Sequence, residues 1–432
     1  MIRILKRVIP QSDKQAFWLS FFLCLLICAV ILFVVSPITN LSKDFGAGND
    51  GYIQLARNLA AGNGYVFEKG GPPVFHRPPM YPLFLVPVAL FPESLQRYVI
   101  VIPQSILIGF IGMLIFKIGR QLYNKKIALV SLLLFLINPW VYWNAKNPMT
   151  AILQTFLYIV FAYLACYELF KGLKYSPLIS AIFIGISGAA LTLAHGAMLP
   201  VVFIFLFMIF IIAVKRGKRF LTPVFAGIIV IALIAPWTYR NWVVFHEFIP
   251  IAGGGGLAFF NGNVHWAGIE PEPQKKGETY IDASLRVIGI EGTEATATQW
   301  KGFKNIANEE KANRKMSQFI SNHHFLFLKK IILNAIEYYF PAITKPFLAI
   351  KSISVEQIAL TCFHIFLWIF AVGAIFCSSK KGLLLLSAVI IYAIWYFPFA
   401  TFIGHSLYTL GTIPFLSILA ARGIGCFFNR TS

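Results

Sequence analysis

The sequence predicts an all-α, polytopic integral membrane protein with about ten transmembrane helices and two long outer loops that carry interfacial helices. Composition is the first reason, since 58% of the 432 residues are apolar, 16% aromatic and only 12% charged, the balance of a chain solvated mainly by hydrocarbon. Apolar runs of roughly 20 residues, the length that crosses a bilayer, recur along the chain. The cations fall between those runs, in the clusters Arg120/Lys125/Lys126, Lys171/Lys174, Lys215/Arg216/Lys218/Arg219 and Lys380/Lys381, as cytoplasmic loops do under the positive-inside rule. The formal net charge of +20 therefore marks orientation and implies no nucleic-acid partner.

Spans near 17–36, 97–117, 127–143, 149–169, 176–194, 197–214, 220–238, 356–377, 382–402 and 407–427 place every one of these clusters inside. Both termini are then cytoplasmic, and two segments lie outside, a first outer loop over 37–96 and a second over 239–355, which hold most of the acidic residues. The chain reads as one integral membrane domain, 1–432. Its first run, Phe17–Ser36, follows Arg3, Lys6, Arg7 and Lys14. It exceeds a signal core of about 7 to 15 residues, and Val34, Val35, Ser36 and Pro37 make a poor cleavage site, so it is expected to stay as an anchor.

Two apolar stretches are not expected to span. Tyr81–Phe91 is too short and carries Pro82 and Pro87, which suits an interfacial or re-entrant segment. Phe325–Phe340 is broken by Lys329, Lys330 and Glu337, and a span there would carry Lys380 and Lys381 outside; an interfacial amphipathic helix is expected. Trp300, Phe303, Ile306 and Ala307, spaced helically among Lys301, Lys304, Glu309 and Glu310, predict another. The six cysteines sit in or at the ends of apolar runs, without a disulfide framework or zinc spacing. His323 and His324 are adjacent and cannot pair as ligands one helical turn apart, so no metal site is expected.

The first outer loop carries the densest chemistry, in Asn49–Phe84, NDGYIQLARNLAAGNGYVFEKGGPPVFHRPPMYPLF. Ile53, Leu55, Ala56 and Leu59 give a helix its apolar side, Arg57 its polar side, and Gly62–Gly64 its end. Asp50 precedes it and suits either an N-cap or a general base. Arg77, on a chain stiffened by Pro78 and Pro79, suits lipid headgroups or a bound phosphate. Arg240 lies just past a boundary marked by Trp237, Tyr239 and Trp242, where an anchor and a phosphate ligand look alike. Gly253–Gly256 lacks the Lys and Ser/Thr of a nucleotide loop, and either flexibility or close approach to a sugar accounts for it. His76 and Glu68 are expected on the loop surface.

From Asp50 through Pro82 the order D-x-Y, A-x-N-L, G-x-G-Y and R-P-P-x-Y-P resembles the first outer loop of the GT-C class of membrane glycosyltransferases, and within it the family 39 or protein-mannosyltransferase-like group. Pro236, Trp237, Arg240, Asn241, Trp242, Phe245 and Pro250, the glycines from Gly253, then Gly262 and Asn263, resemble that group's P-W-x-x-R-N and G-N elements. The resemblance covers most of the chain. It departs at Asn147, Pro148, Met149 and Thr150, where members often carry an acid, at His195 in place of an arginine, and at Leu407, Tyr408 and Thr409 in place of R-Y-R.

This resemblance implies the GT-C fold and transfer of a sugar from a polyprenyl-phosphate donor to an acceptor hydroxyl of a cell-envelope glycan, lipid or protein. The reaction would run on the outer face of a bacterial plasma membrane, with inversion at the sugar. It needs no nucleotide or other cofactor and leaves a divalent metal open. The class gives Asp50 the general base and Arg77 the donor phosphate; Arg240, from its place at the outer boundary, is a second candidate for that phosphate, and Tyr52, Asn261 and Asn263 are candidates for contacts to substrate. An O-antigen-type polymerase or ligase, a lipid-sugar transporter or flippase, and a membrane scaffold are the rivals. Few ionisable groups fall deep in the expected spans, which counts against a transporter.

Overall fold

A computed structural model of the chain describes residues 10–35, 51–171, 176–217, 220–256, 259, 285–289, 306–340, 355–377, 379–396 and 409–430. Its helices are α1 Asp13–Val30, which continues as a π turn Ile31–Val35, α2 Tyr52–Ala60, α3 Met80–Ala89, α4 Glu93–Val99, α5 Val101–Leu122, α6 Lys125–Ile137, α7 Pro139–Ala145 and α8 Ala151–Lys171. There follow α9 Pro177–Ala194, α10 Met198–Lys215, α11 Leu221–Phe245, α12 Ile306–Asn322, α13 His324–Tyr339, α14 Val355–Cys377, α15 Ser379–Tyr396 and α16 Ile413–Arg430. Among the described residues extended pairing is limited to one bridge, Val66 with Pro73, so the fold is all-α.

A helix lies over each of the ten expected spans. Six are long and apolar enough to cross a membrane, seven if α6 and α7 count as one broken span, while α8, α15 and α16 have shorter apolar stretches. α1 packs along α5, α9 along α11, and α16 between α6 and α14. Small side chains permit the close approaches: a Cβ on Gly112 of α5 would meet Ser20 Oγ of α1 at 2.0 Å, and one on Gly423 of α16 would meet the Phe370 carbonyl of α14 at 1.9 Å. Phe22, Leu26, Ile228 and Ile231 are exposed, as apolar side chains on a lipid-facing surface should be.

Two expected spans end differently from the hydropathy reading. The third is broken, with 59° between α6 and α7, because Pro139 holds Asn138 extended at ψ 116° and the Asn138 side chain caps α7 by accepting from Trp140 N. The seventh was expected to stop at 238, yet α11 runs through Pro236 to Phe245 and ends where His246 takes φ 57°. Trp237, Arg240 and Asn241 are therefore helix residues. α12 and α13 lie where amphipathic helices were expected, and α12 begins at Ile306, with 300–305 outside the described residues.

Candidate functional site

The first outer segment folds back on itself around α2. This helix ends with Ala60, just before the expected glycines, and its N-cap position is Gly51, the neighbour of the expected cap Asp50. Gly51 has φ +82°, and a Cβ there would lie 2.1 Å from the Phe67 ring, so only glycine fits. Asn58 ties the start of the following hairpin to α2, donating through Nδ2 to Gln54 O at 3.1 Å and Phe67 O at 2.9 Å. Asp50, Asn261 and Asn263 lie outside the described residues. Tyr52, Arg77 and Arg240 are described.

Tyr52 and Arg77, 25 positions apart, meet: the guanidinium carbon lies 5.2 Å from the centroid of the Tyr52 ring, a cation–π arrangement. The buried Tyr52 ring stands edge-on to Tyr81 of α3 at 5.1 Å. Gln104 of α5 donates to the Tyr81 hydroxyl at 2.9 Å. Tyr65 fixes the backbone that presents Arg77, its hydroxyl donating to Arg77 O and Pro78 O, both at 2.9 Å. Burial pushes the Tyr65 phenol well above its usual value, although Arg77 and Arg240 pull it the other way, so Tyr65 remains a donor at any working pH.

Arg240 joins the two outer segments. Its Nη1 donates to Val74 O and Asn241 Oδ1, each at 2.9 Å, and its guanidinium lies within 4.9–5.5 Å of the Trp237, Phe245 and Tyr65 rings. From the same helix Trp237 Nε1 donates to Ile251 O at 2.7 Å, Thr238 Oγ1 to Pro250 O at 2.7 Å and Asn241 Nδ2 to Ile249 O at 3.0 Å. Gly253 N then donates to Phe75 O at 3.1 Å, and a Cβ on Gly253 would strike the Phe75 ring at 2.5 Å. Gly256 N donates to Glu309 of α12 at 3.3 Å, where a Cβ would meet Asn313 N at 2.6 Å. The glycine run thus serves close packing at both ends.

His76 is buried between Phe67 and Phe75, which corrects the surface position expected for it; the hairpin after α2 brings the Phe67 ring to it, and no local pattern signals that. Glu68 is exposed, as expected. Sequence reasoning also passed over Asn144 and Lys146 at the end of α7, which are buried there together with Asn147. The signal available was a lysine between two asparagines at the end of an apolar run. Among the described residues no group of three or more His, Cys, Asp and Glu is placed to hold a metal.

Residues 76–240 match the family model described as dolichyl-phosphate-mannose-protein mannosyltransferase. No curated protein matches the sequence. Among solved structures, the apo oligosaccharyltransferase of Archaeoglobus fulgidus aligns with 96% of this chain and 51% of its own at 12% identity and a TM-score of 0.52, a likeness of fold. The archaeal oligosaccharyltransferase AglB of the same organism, with an inhibitory peptide and a dolichol-phosphate, gives 13% identity, 96% and 50% coverage and a TM-score of 0.46. ArnT from Cupriavidus metallidurans bound to undecaprenyl phosphate gives 13%, 94% and 77%, and 0.39. The chain spans about half the length of the archaeal enzymes.

Proposed function

We propose that this multi-pass membrane protein is a glycosyltransferase of the GT-C class, protein-mannosyltransferase-like over residues 76–240, and that it transfers a sugar from a polyprenyl-phosphate donor to an acceptor hydroxyl of a cell-envelope glycan, lipid or protein. The observation that carries this reading is the meeting of Tyr52, two residues after Asp50, with the Arg77 guanidinium. It brings the start of α2 to the cation.

In this mechanism Asp50 takes the acceptor proton as the hydroxyl attacks the anomeric carbon, which passes through an oxocarbenium-like state. The bond to the phosphate oxygen breaks, its electron pair stays on the phosphate, and the sugar inverts. Arg77 stabilises the charge gathering there with charge-assisted hydrogen bonds, while Tyr52 positions the guanidinium from beneath. Arg240 holds the second outer segment against the first and faces the donor phosphate with the remainder of its fork. Asn261 and Asn263 bind sugar hydroxyls. The reaction takes place on the outer face of a bacterial plasma membrane, with both termini inside.

Purified protein in liposomes, supplied with a panel of polyprenyl-phosphate sugars and envelope glycolipids, should release polyprenyl phosphate from one donor, and Asp50→Asn should reduce that release about 100-fold or more. Release from no donor, or equal release by the variant, would reject this reading.

A further inference from the structure

Where α13, α14 and α16 meet lies a polar cluster that the reaction as described does not use. His364 of α14 is wholly buried, within the apolar stretch Ile358–Phe376. Its Nδ1 lies 2.7 Å from Tyr339 O at the end of α13. A carbonyl only accepts, so Nδ1 carries the proton, and Nε2 of the neutral ring is a bare acceptor. Trp368 follows one helical turn on, and both rings stand edge-on to the Tyr339 ring, at 5.5 and 5.3 Å. The Tyr339 hydroxyl is engaged elsewhere, with Thr412 Oγ1, which in turn donates to Thr409 O at 2.7 Å. His364 Nε2 and Trp368 Nε1 are both enclosed, and neither has a hydrogen-bond partner among the described residues.

A histidine inside a spanning helix is costly and rare, and it ordinarily marks a site. A tryptophan ordinarily sits at the membrane boundary, where its N–H reaches water. At 1.5 Å per residue, His364 and Trp368 lie about 9 and 12 Å from the nearer end of their apolar stretch, below the level of headgroups. The Trp368 ring is only half-buried, and Phe366 and Ile369 beside it are 40% and 62% exposed, so the two enclosed nitrogens lie one ring from the lipid-facing surface. Their chemistry defines a ligand. One accepts and the other donates, so a carbonyl or carboxylate satisfies only the indole and an ammonium only the imidazole, whereas a hydroxyl satisfies both.

We propose that His364 and Trp368 bind a membrane lipid whose acyl chain is hydroxylated near its middle, the O–H donating to His364 Nε2 and accepting from Trp368 Nε1. Depth selects the lipid. Hydroxyls of headgroups and glycerol stay at the interface, so a hydroxyl at this level belongs to the chain. In hydrocarbon that hydroxyl has no partner, and at α14 it has two, so the preference over an unhydroxylated chain is larger than at a wet surface. The inference stands apart from the transferase reading, since it uses no residue placed in the donor or acceptor site.

The full chain in nanodiscs of equal parts ricinoleoyl and oleoyl phosphatidylcholine, the same chain with and without a mid-chain hydroxyl, tests this. After mild extraction, mass spectrometry of the retained lipid should show the native protein enriched about tenfold in the hydroxylated form, because the other form leaves a buried donor and acceptor unpaired. Trp368→Phe keeps an aromatic ring and loses the N–H; it should melt as the native protein does and enrich about threefold or less. In NMR spectra of protein with isotope-labelled histidine, the signal that His364→Leu removes should shift when ricinoleoyl lipid replaces oleoyl lipid. Equal retention of both lipids by the native protein, or an unshifted His364 signal, would mean that water alone meets these nitrogens and would overturn the proposal. Native enrichment in Trp368→Phe, or enrichment lost only in step with melting temperature, would overturn it as well.

Discussion

Replacing Tyr65 by Phe removes one oxygen and leaves the ring that stands edge-on to Trp237 at 4.9 Å. That oxygen donates to two backbone carbonyls, Arg77 O and Pro78 O, in a buried setting. Two under-satisfied carbonyls cost about 1 to 3 kcal/mol, less whatever water can enter. The loss falls on the backbone that carries Arg77, so donor affinity should weaken with stability. Thermal melting in detergent and donor KM measure the two. The alkaline limb adds an independent check. Burial keeps the Tyr65 proton on the folded chain, whereas an unfolded tyrosine ionises near pH ~10. The unfolded state then binds fewer protons, so stability from this group is whole below about pH 10 and declines above it. The native protein should lose stability above that pH more steeply than Tyr65→Phe. A variant with native melting temperature and native donor KM would refute the reasoning.

Gly51→Ala must place a Cβ at a left-handed φ and against the Phe67 ring, costing about 1 to 2 kcal/mol from the backbone alone, so melting temperature and transfer should fall together. Arg240→Lys loses the planar fork that bonds Val74 O and lies among three rings, which should cost about 1.5 to 3 kcal/mol and speed proteolysis within 239–355 in a limited digest. Arg57 reaches both Glu93, whose side chain is 75% exposed, and buried Gln96. Glu93→Gln should therefore move the melting temperature little, by less than about 1 kcal/mol, while Gln96→Leu should lower it measurably.

The helices were legible because each is a long apolar run with its cations outside, and α2 because Ile53, Leu55, Ala56 and Leu59 share a face before glycines. Local signals failed where a tertiary bond overrode them. Pro236 and a polar sequence read as the end of α11, yet Trp237, Thr238 and Asn241 each donate to the strap Ile249–Ile251, and those bonds keep the chain helical to Phe245. The glycines at 253–256 suggested flexibility because sequence does not show the Phe75 ring or α12 beside them. Tyr52 and Arg77 were both named as site residues on resemblance, but their contact depends on Tyr65 folding back over the hairpin. Lys146 escaped notice because a lysine at the end of an apolar run ordinarily reaches water, and its burial is a property of α1 and α5 packed around α7.

In the proposed reaction Asp50 removes the acceptor proton during transfer from a lipid-phosphate sugar. Mass spectrometry of lipid-linked sugars and envelope glycans in cells with the native protein, without it, and with Asp50→Asn tests it most directly. One polyprenyl-phosphate sugar should accumulate and one glycan residue should disappear in both defective strains, with the variant inserted and melting as the native protein does. An unchanged donor pool and glycan profile in the Asp50→Asn strain would contradict it.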